Sequence, residues 1–150
     1  MSTEEAMFTP DHLIETSRAR VAGYLAEYED AIDFNDGSYA IPHGSSSVMV
    51  VVRPYTETDT MVEFMAQCVT GASITPELLT WLLRKNVELH LGAFGLLFDN
   101  TIVYSYAVTG GSLDKSEFDA AVKSVAVIAD YYDDEIVAMA GGKRFADLDA

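Results

Sequence analysis

Apolar residues change their spacing in the middle of the chain, within residues 76–108. The first part has leucines at steps of three and four residues, which predicts a short amphipathic helix. Leu89 to Phe98 and Thr101 to Val108 then form two apolar segments separated by Asp99 and Asn100. Asp and Asn tolerate the positive φ that a tight hairpin turn requires. This stretch therefore predicts a helix followed by two antiparallel strands.

Helix starts can be recognised from N-capping signals. Thr75 before Pro76 predicts the start of the central helix, which we expect to end near Asn86. Thr9 before Pro10 predicts the same kind of start for a first helix. A threonine at the N-cap accepts a backbone N–H, and proline at the first helical position loses no hydrogen bond.

A long third helix is predicted from Asp114 to Gly141-Gly142. Asp114 and Glu117 form a capping box, and the glycine pair is typical of a helix end. Apolar residues recur along one face of this segment, at Phe118, Val122, Val125, Ile128, Ala129, Tyr132 and Ile136.

Two longer segments alternate with the period of a β-strand, Ser47 to Arg53 and Met61 to Thr70. Short strands near Ala31–Phe34 and Tyr39–Pro42 are expected before them, joined by a turn at residues 35–38. One face of the long strands is strongly apolar and is predicted to be core. The second face is mixed and contains Met49, Val51, Met61 and Met65.

The order of elements predicts an α+β fold with a mainly antiparallel sheet, in the order α-β-β-β-α-β-β-α. We expect the long first and third helices to cover one sheet face. Residues 9–142 are predicted to form a single domain, preceded by a disordered segment 1–8 and followed by a loose acidic tail 143–150.

Charge and cysteine usage narrow the functional class. The chain has 24 acidic and 9 basic residues, a formal charge of −15 that disfavours nucleic-acid binding. Such a charge serves either solubility alone or the attraction of basic partners. Cys68 is the only cysteine, so the chain has no disulfide framework, which suits a reducing compartment. The start of the chain has acidic residues where a secretory signal would have basic ones, and no apolar segment is long enough to span a membrane. We therefore expect a cytoplasmic protein that does not act at a membrane.

No catalytic, metal-binding or cofactor-binding motif is present in the sequence. His12, His43 and His90 do not stand at metal-ligand spacing from one another or from Cys68. The acids late in the third helix are expected to form its solvated face, and they are Asp130, Asp133, Asp134 and Glu135. We predict a protein that is not an enzyme and needs no cofactor.

Two apolar surfaces are candidates for binding. The mixed sheet face with Met49, Val51, Met61 and Met65 is predicted to contact a peptide, although methionines at such positions also occur as plain core. Leu78, Trp81 and Leu82 on the central helix are predicted to form a homodimer interface, with packing inside the chain as the alternative.

Three segments carry a resemblance to a known family: DFNDGSYAIPHGSSSVMVVV, TPELLTWLLRKN with GAFGLLFDNTIVYSYAV, and LDKSEFDAAVKSVAVIADYYDDEI. In caps, turns and apolar positions the chain, from Thr9 to about Gly142, resembles type III secretion chaperones and, more closely, YbjN-like proteins. The resemblance implies a small acidic protein, often dimeric, that holds an extended segment of another protein without ATP and has no catalytic residues.

The leading hypothesis is thus a chaperone-like or adaptor domain that binds a protein or peptide client on its sheet face or at a sheet edge. The alternative is a small-molecule sensor or an enzyme with a pocket lined by Phe94, Tyr104 and Tyr106. A purely structural dimer module is the third possibility.

Overall fold

A computed structural model describes residues 8–148 and shows the α+β fold that the sequence predicts. Within these residues, three α-helices pack against one antiparallel sheet. The helices are α1 (Asp11–Leu25), α2 (Pro76–Leu89) and α3 (Lys115–Ala140). The strands are β1 (Ile32–Asp33), β2 (Ser38–His43), β3 (Ser46–Pro54), β4 (Thr60–Thr70), β5 (Ala93–Leu96), β6 (Ile102–Thr109) and β7 (Lys143–Arg144), followed by a 3₁₀ turn, Phe145–Asp147.

Strand order in the sheet is β1-β2-β3-β4-β6-β5, and β7 pairs with β4. β3 pairs with β4 as far as Val48 and Ala66, and β7 pairs with β4 beyond that point, at Val69 and Thr70. Because β6 already pairs with Val69 on the other side, β7 lies on the same side of β4 as β3.

The predicted caps of α2 and α3 are confirmed. The Thr75 side chain accepts a hydrogen bond from the Leu78 N–H at 3.2 Å, and Asp114 accepts one from the Glu117 N–H at 2.7 Å. Each bond satisfies a backbone donor that the first helical turn leaves free.

The cap predicted at Thr9 is wrong. Helix α1 begins at Asp11, with Pro10 at the N-cap and no side-chain cap. Thr9 instead donates its hydroxyl to the Thr56 carbonyl at 2.6 Å and accepts the Tyr55 N–H at 2.8 Å. Its hydroxyl therefore ties the chain start to the β3–β4 loop.

The hairpin after α2 is shorter than predicted. The helix continues to Leu89, and His90 has a positive φ of 62° that ends it, so the strand begins only at Ala93. The turn at the other end includes Phe98 as well as Asp99 and Asn100, and only Asn100 among these has a positive φ, of 67°.

The core lies between the sheet and the helices. Val48 and Val50 of β3 and Phe64 of β4 are fully buried on this face. Phe118 of α3 packs edge-on against Phe64, with 5.5 Å between ring centroids, and lies 5.5 Å from the Tyr24 ring of α1. The first and third helices therefore cover one sheet face, as predicted.

The C-terminal segment differs from the predicted loose tail. Gly141 and Gly142 end α3, after which residues 143–148 run as β7 and the 3₁₀ turn. We call residues 143–148 the C-terminal strap. It passes β4 and places Phe145 on the sheet face that the helices leave open. Residues 1–7 and 149–150 belong to the predicted disordered start and loose tail, and they lie outside the described range.

Candidate functional site

A row of apolar side chains crosses the open face of the sheet. Ala40 of β2 lies opposite Ile32 of β1 and Met49 of β3, and Met49 lies opposite Met65 of β4. Directly opposed residues on neighbouring strands point to the same side of the sheet. The alternation of buried Val48 and Val50 around Met49 therefore turns Met49 away from the helices.

These residues line a groove with a cavity volume of about 570 Å³, which we call the open-face groove. One wall comes from Ile32 and Phe34, and the other from Phe145 and Ala146 of the C-terminal strap. The β2–β3 turn closes one end. The full lining is Ile32, Phe34, Ala40, Pro42, Gly44, Ser45, Ser46, Ser47, Met49, Met65, Gln67, Phe145 and Ala146.

The β2–β3 turn is fastened to α3 through Ser45. Its backbone N–H donates to Asp130 Oδ1 at 3.0 Å, and its hydroxyl lies between the carboxylates of Asp130 and Asp133, 2.7 Å from Asp133 Oδ2. A hydroxyl has one hydrogen and can donate to only one of them. When the hydroxyl donates to Asp130, a proton on Asp133 completes the chain of hydrogen bonds.

The two carboxyl groups lie in different environments, which shift their pKa values in opposite directions. Burial raises the pKa of Asp133 above its usual value of 3.8. Hydrogen bonds from the Ser45 hydroxyl and N–H lower the pKa of Asp130. Asp133 is only 2% exposed, so the prediction that it belongs to the solvated face of α3 is wrong. Its Oδ1 atom has no hydrogen-bond partner within residues 8–148.

Arg144 holds the strap beside this cluster. Its guanidinium lies 3.3 Å from Asp134 Oδ1 on α3 and donates to both carboxylate oxygens of Asp147, at 2.8 and 3.1 Å. The strap is thereby linked to the helix and to itself.

The four residues predicted to bind a peptide all lie on the open face, but the groove brings only two of them together. Met49 and Met65 line it. Val51 and Met61 lie further along the strands, where their neighbours Arg53 and Glu63 form an ion pair at 3.3 Å.

Sequence reasoning missed the side chains that form the walls of the groove. Phe34 stands alone among polar residues, and Phe145 lies beyond the last predicted helix. An isolated exposed phenylalanine in a polar segment was the available signal, but nothing in the sequence shows that both approach the same sheet face.

The predicted interface on α2 needs a correction. Leu78 and Leu82 are buried in the chain's own core, and the Trp81 ring packs against Phe94, with 5.8 Å between centroids. The large apolar side chains that α2 exposes are instead Leu79, Leu83 and Val87, which follow each other at steps of four residues on one face.

The structure does not bring Phe94, Tyr104 and Tyr106 together around one cavity, because Tyr106 lines a small cavity of about 190 Å³ beside α3 that the other two do not line. Phe94 and Tyr104 are buried and in contact, with 4.9 Å between ring centroids. The Tyr104 hydroxyl donates to the Leu91 carbonyl at 2.5 Å, and burial raises its pKa to about 12. These rings fill the space in which a ligand would have to bind.

The residues that the structure describes form neither a metal site nor a membrane-spanning helix. Across residues 8–148, no three His, Cys, Asp or Glu side chains are grouped to hold a metal ion. The Cys68 thiol is buried, which raises its pKa to about 12. None of the helices in the same range is both long enough and apolar enough to cross a membrane.

Comparison with protein families gives a match that covers residues 11–148. The matching family is described as T3SS (YopN, CesT) and YbjN peptide-binding chaperone 1, where T3SS is the type III secretion system. The chain belongs to this peptide-binding chaperone family. The match includes the C-terminal strap, and it confirms the resemblance seen in the sequence.

Solved structures with a similar fold include two complexes. The ExsC-ExsE complex contains a chain with a TM-score of 0.60 and 14% identity, and the alignment covers 83% of this chain and 95% of that one. The HopA1-SchA chaperone-effector complex contains another, with a TM-score of 0.60 and 7% identity, covering 83% and 96%. At these identities the likeness concerns the fold. Comparison with curated proteins gives no match.

Proposed function

We propose that the protein holds an extended segment of another polypeptide in the open-face groove, without ATP and without catalysing a reaction. The observation that carries the proposal is an apolar groove on the sheet face that the helices leave uncovered. Exposed apolar surface of this kind typically marks an interaction site. Membership in a peptide-binding chaperone family supports a polypeptide as the occupant.

The shape of the groove suits an extended chain. Side chains of an extended segment alternate in direction, so every second residue can enter the groove while the others face water. Met49 and Met65 at its floor have unbranched, polarizable side chains that adapt to different partners. Val51 and Met61 extend the same face for a longer client.

Charge around the groove favours a basic or amphipathic client. Asp33 and Asp36 flank the Phe34 wall, and Asp147 follows the Phe145 wall. With a formal charge of −15, the whole protein also attracts basic segments over a distance.

Binding on the face is favoured over strand addition at β5. A strand added to a sheet edge needs free backbone groups. At the outer edge of β5, the Asn86 side chain already bonds both the N–H and the carbonyl of Phe94.

The structural neighbours support a protein client in a further way. One of them is the HopA1-SchA chaperone-effector complex, so a chain of this fold occurs in a complex between a chaperone and an effector. A cytoplasmic location and a homodimer remain predictions from the sequence.

The proposal is tested with an array of peptides that alternate apolar and basic residues. Met49→Asp places a charge in the groove, and Val127→Asp is its matched control, because Val127 on α3 has a similar exposure, 43% against 36%. We expect Met49→Asp to lower the affinity for captured peptides by at least about tenfold, and Val127→Asp to leave this affinity unchanged. Equal affinities for both folded variants would overturn the proposal.

A further inference from the structure

The C-terminal strap forms one wall of the groove that the proposed function assigns to a client. The Phe145 side chain forms a wall beside Met49 and Met65, although the helix that precedes it lies on the opposite face of the sheet. The chain reaches the open face by passing the end of β4, where Lys143 pairs with Thr70.

Few interactions hold the strap in place. Strand β7 contributes only the pairs Arg144–Val69 and Lys143–Thr70, and the turn after it is three residues long. Such short elements lie at the low end of local stability. Phe145 remains 38% exposed, so it is seated in the groove without being enclosed by it.

The junction with α3 can change direction at two glycines. Gly141 and Gly142 have φ values of 77° and 89°, in the region that glycine adopts without strain. A Cβ on Gly142 would lie 2.7 Å from the Thr70 carbonyl oxygen, so only glycine permits this close passage along β4. The ion pair between Arg144 and Asp134 is the side-chain link to α3 on the far side of this junction.

We propose that the C-terminal strap is a displaceable occupant of the open-face groove, and that a client must move Phe145 away to bind at full affinity. The inference rests on the proposed function and adds an autoinhibitory contact to it. A tethered segment competes at a high effective concentration. The apparent affinity of a client is then reduced by the fraction of molecules in which the strap is open.

The strap also indicates the kind of segment that replaces it. It presents two basic residues in β-pairing and then an aromatic side chain, Lys143-Arg144-Phe145, beside an acidic cluster on α3. A client with a basic, extended stretch followed by a large apolar residue would make the same contacts.

Nile red, a neutral apolar dye, tests the strap without any polypeptide. Phe145→Ala in the full chain should tighten dye binding by about tenfold if the strap is open in roughly one molecule in ten. Leu148→Ala is the matched control, because Leu148 belongs to the same segment and is 37% exposed but does not line the groove. Adding Met49→Asp to Phe145→Ala should abolish the gain in dye affinity.

Unchanged or weaker dye binding by folded Phe145→Ala would overturn the proposal, as would a gain in dye affinity that persists when Met49→Asp is added.

Arg144→Gln is a second test of the strap. Losing the link to Asp134 should also loosen the strap and tighten dye binding. If Phe145→Ala does not fold, the result for Arg144→Gln decides alone. Hydrogen exchange of amides 143–148 should accelerate when the dye saturates the wild-type chain, and no change would count against displacement. Dye binding can show a displaceable strap even if no peptide of the array binds in the groove, and peptides can bind there even if the strap does not move. The two proposals are therefore tested separately.

Discussion

Asn86 and Phe94 are joined by two hydrogen bonds that close the outer edge of the sheet. The Phe94 N–H donates to Asn86 Oδ1 at 2.7 Å, and Asn86 Nδ2 donates to the Phe94 carbonyl at 3.3 Å. A side-chain amide on α2 thus takes the place of a neighbouring strand. Sheet edges that remain unpaired are sites of unwanted strand pairing.

Asn86→Ala should lower the free energy of unfolding by about 1–3 kcal/mol, because both backbone groups of Phe94 lose their partner. Urea unfolding measures the change. Asn86→Asp keeps an acceptor for the 2.7 Å bond and should lose less than the alanine variant. An alanine variant as stable as wild type would show that the amide bonds do not stabilise this edge.

Asp130 and Asp133 should respond to pH with opposite signs. The folded chain holds a proton on Asp133 more tightly than the unfolded chain does, so this residue's contribution to stability falls as pH rises above about 4. Asp130 has a lowered pKa, and its contribution is present at neutral pH and is lost as pH falls through the folded value. Asp134 and Arg144 lie near Asp133, and His43 and Arg144 lie near Asp130, so all three residues are kept unchanged in the test.

Urea unfolding from about pH 2 to about pH 8 should therefore separate the two asparagine variants, because the contribution of Asp133 changes above about pH 4 and that of Asp130 changes mainly below it. Asp133→Asn should gain stability relative to wild type as pH rises, and Asp130→Asn should lose it. Parallel curves for both variants would contradict the assignment of the proton to Asp133.

The homodimer, if it forms through α2, should use the exposed leucine and valine stripe of that helix. Leu83→Asp would then shift the sedimentation coefficient to that of a monomer, because a charge is poorly tolerated inside an apolar interface. Phe98→Asp on the β5–β6 turn is the control, since Phe98 is also exposed but lies away from the stripe. A wild-type sedimentation coefficient that stays at the monomer value across the concentration series would exclude the dimer at the concentrations tested.

Local signals in the sequence predicted most of the fold. The caps at Thr75 and Asp114 depend on residues three positions away, and the faces of β3 and β4 follow from strict alternation. Features set by distant contacts were missed. Thr9 is a sound capping residue by type, yet its hydroxyl bonds to Thr56, 47 positions away.

The same distinction explains the candidate site. The floor residues Met49 and Met65 were predicted because alternation separates the two faces of a strand. Asp133 was assigned to solvent because no local pattern reveals that the β2–β3 turn reaches α3 and buries its carboxyl group. The position of Phe145 likewise depends on β7 pairing with β4.

Photo-crosslinking of a captured peptide tests the location of client binding most directly. The peptide would carry p-benzoylphenylalanine at its central apolar position, with the crosslinked residue of the protein found by mass spectrometry. The groove predicts crosslinks at Met49, Met65 and the Phe34 wall, which lie together on the open face. Crosslinks confined to α2 or to the exposed side of α3 would contradict the account.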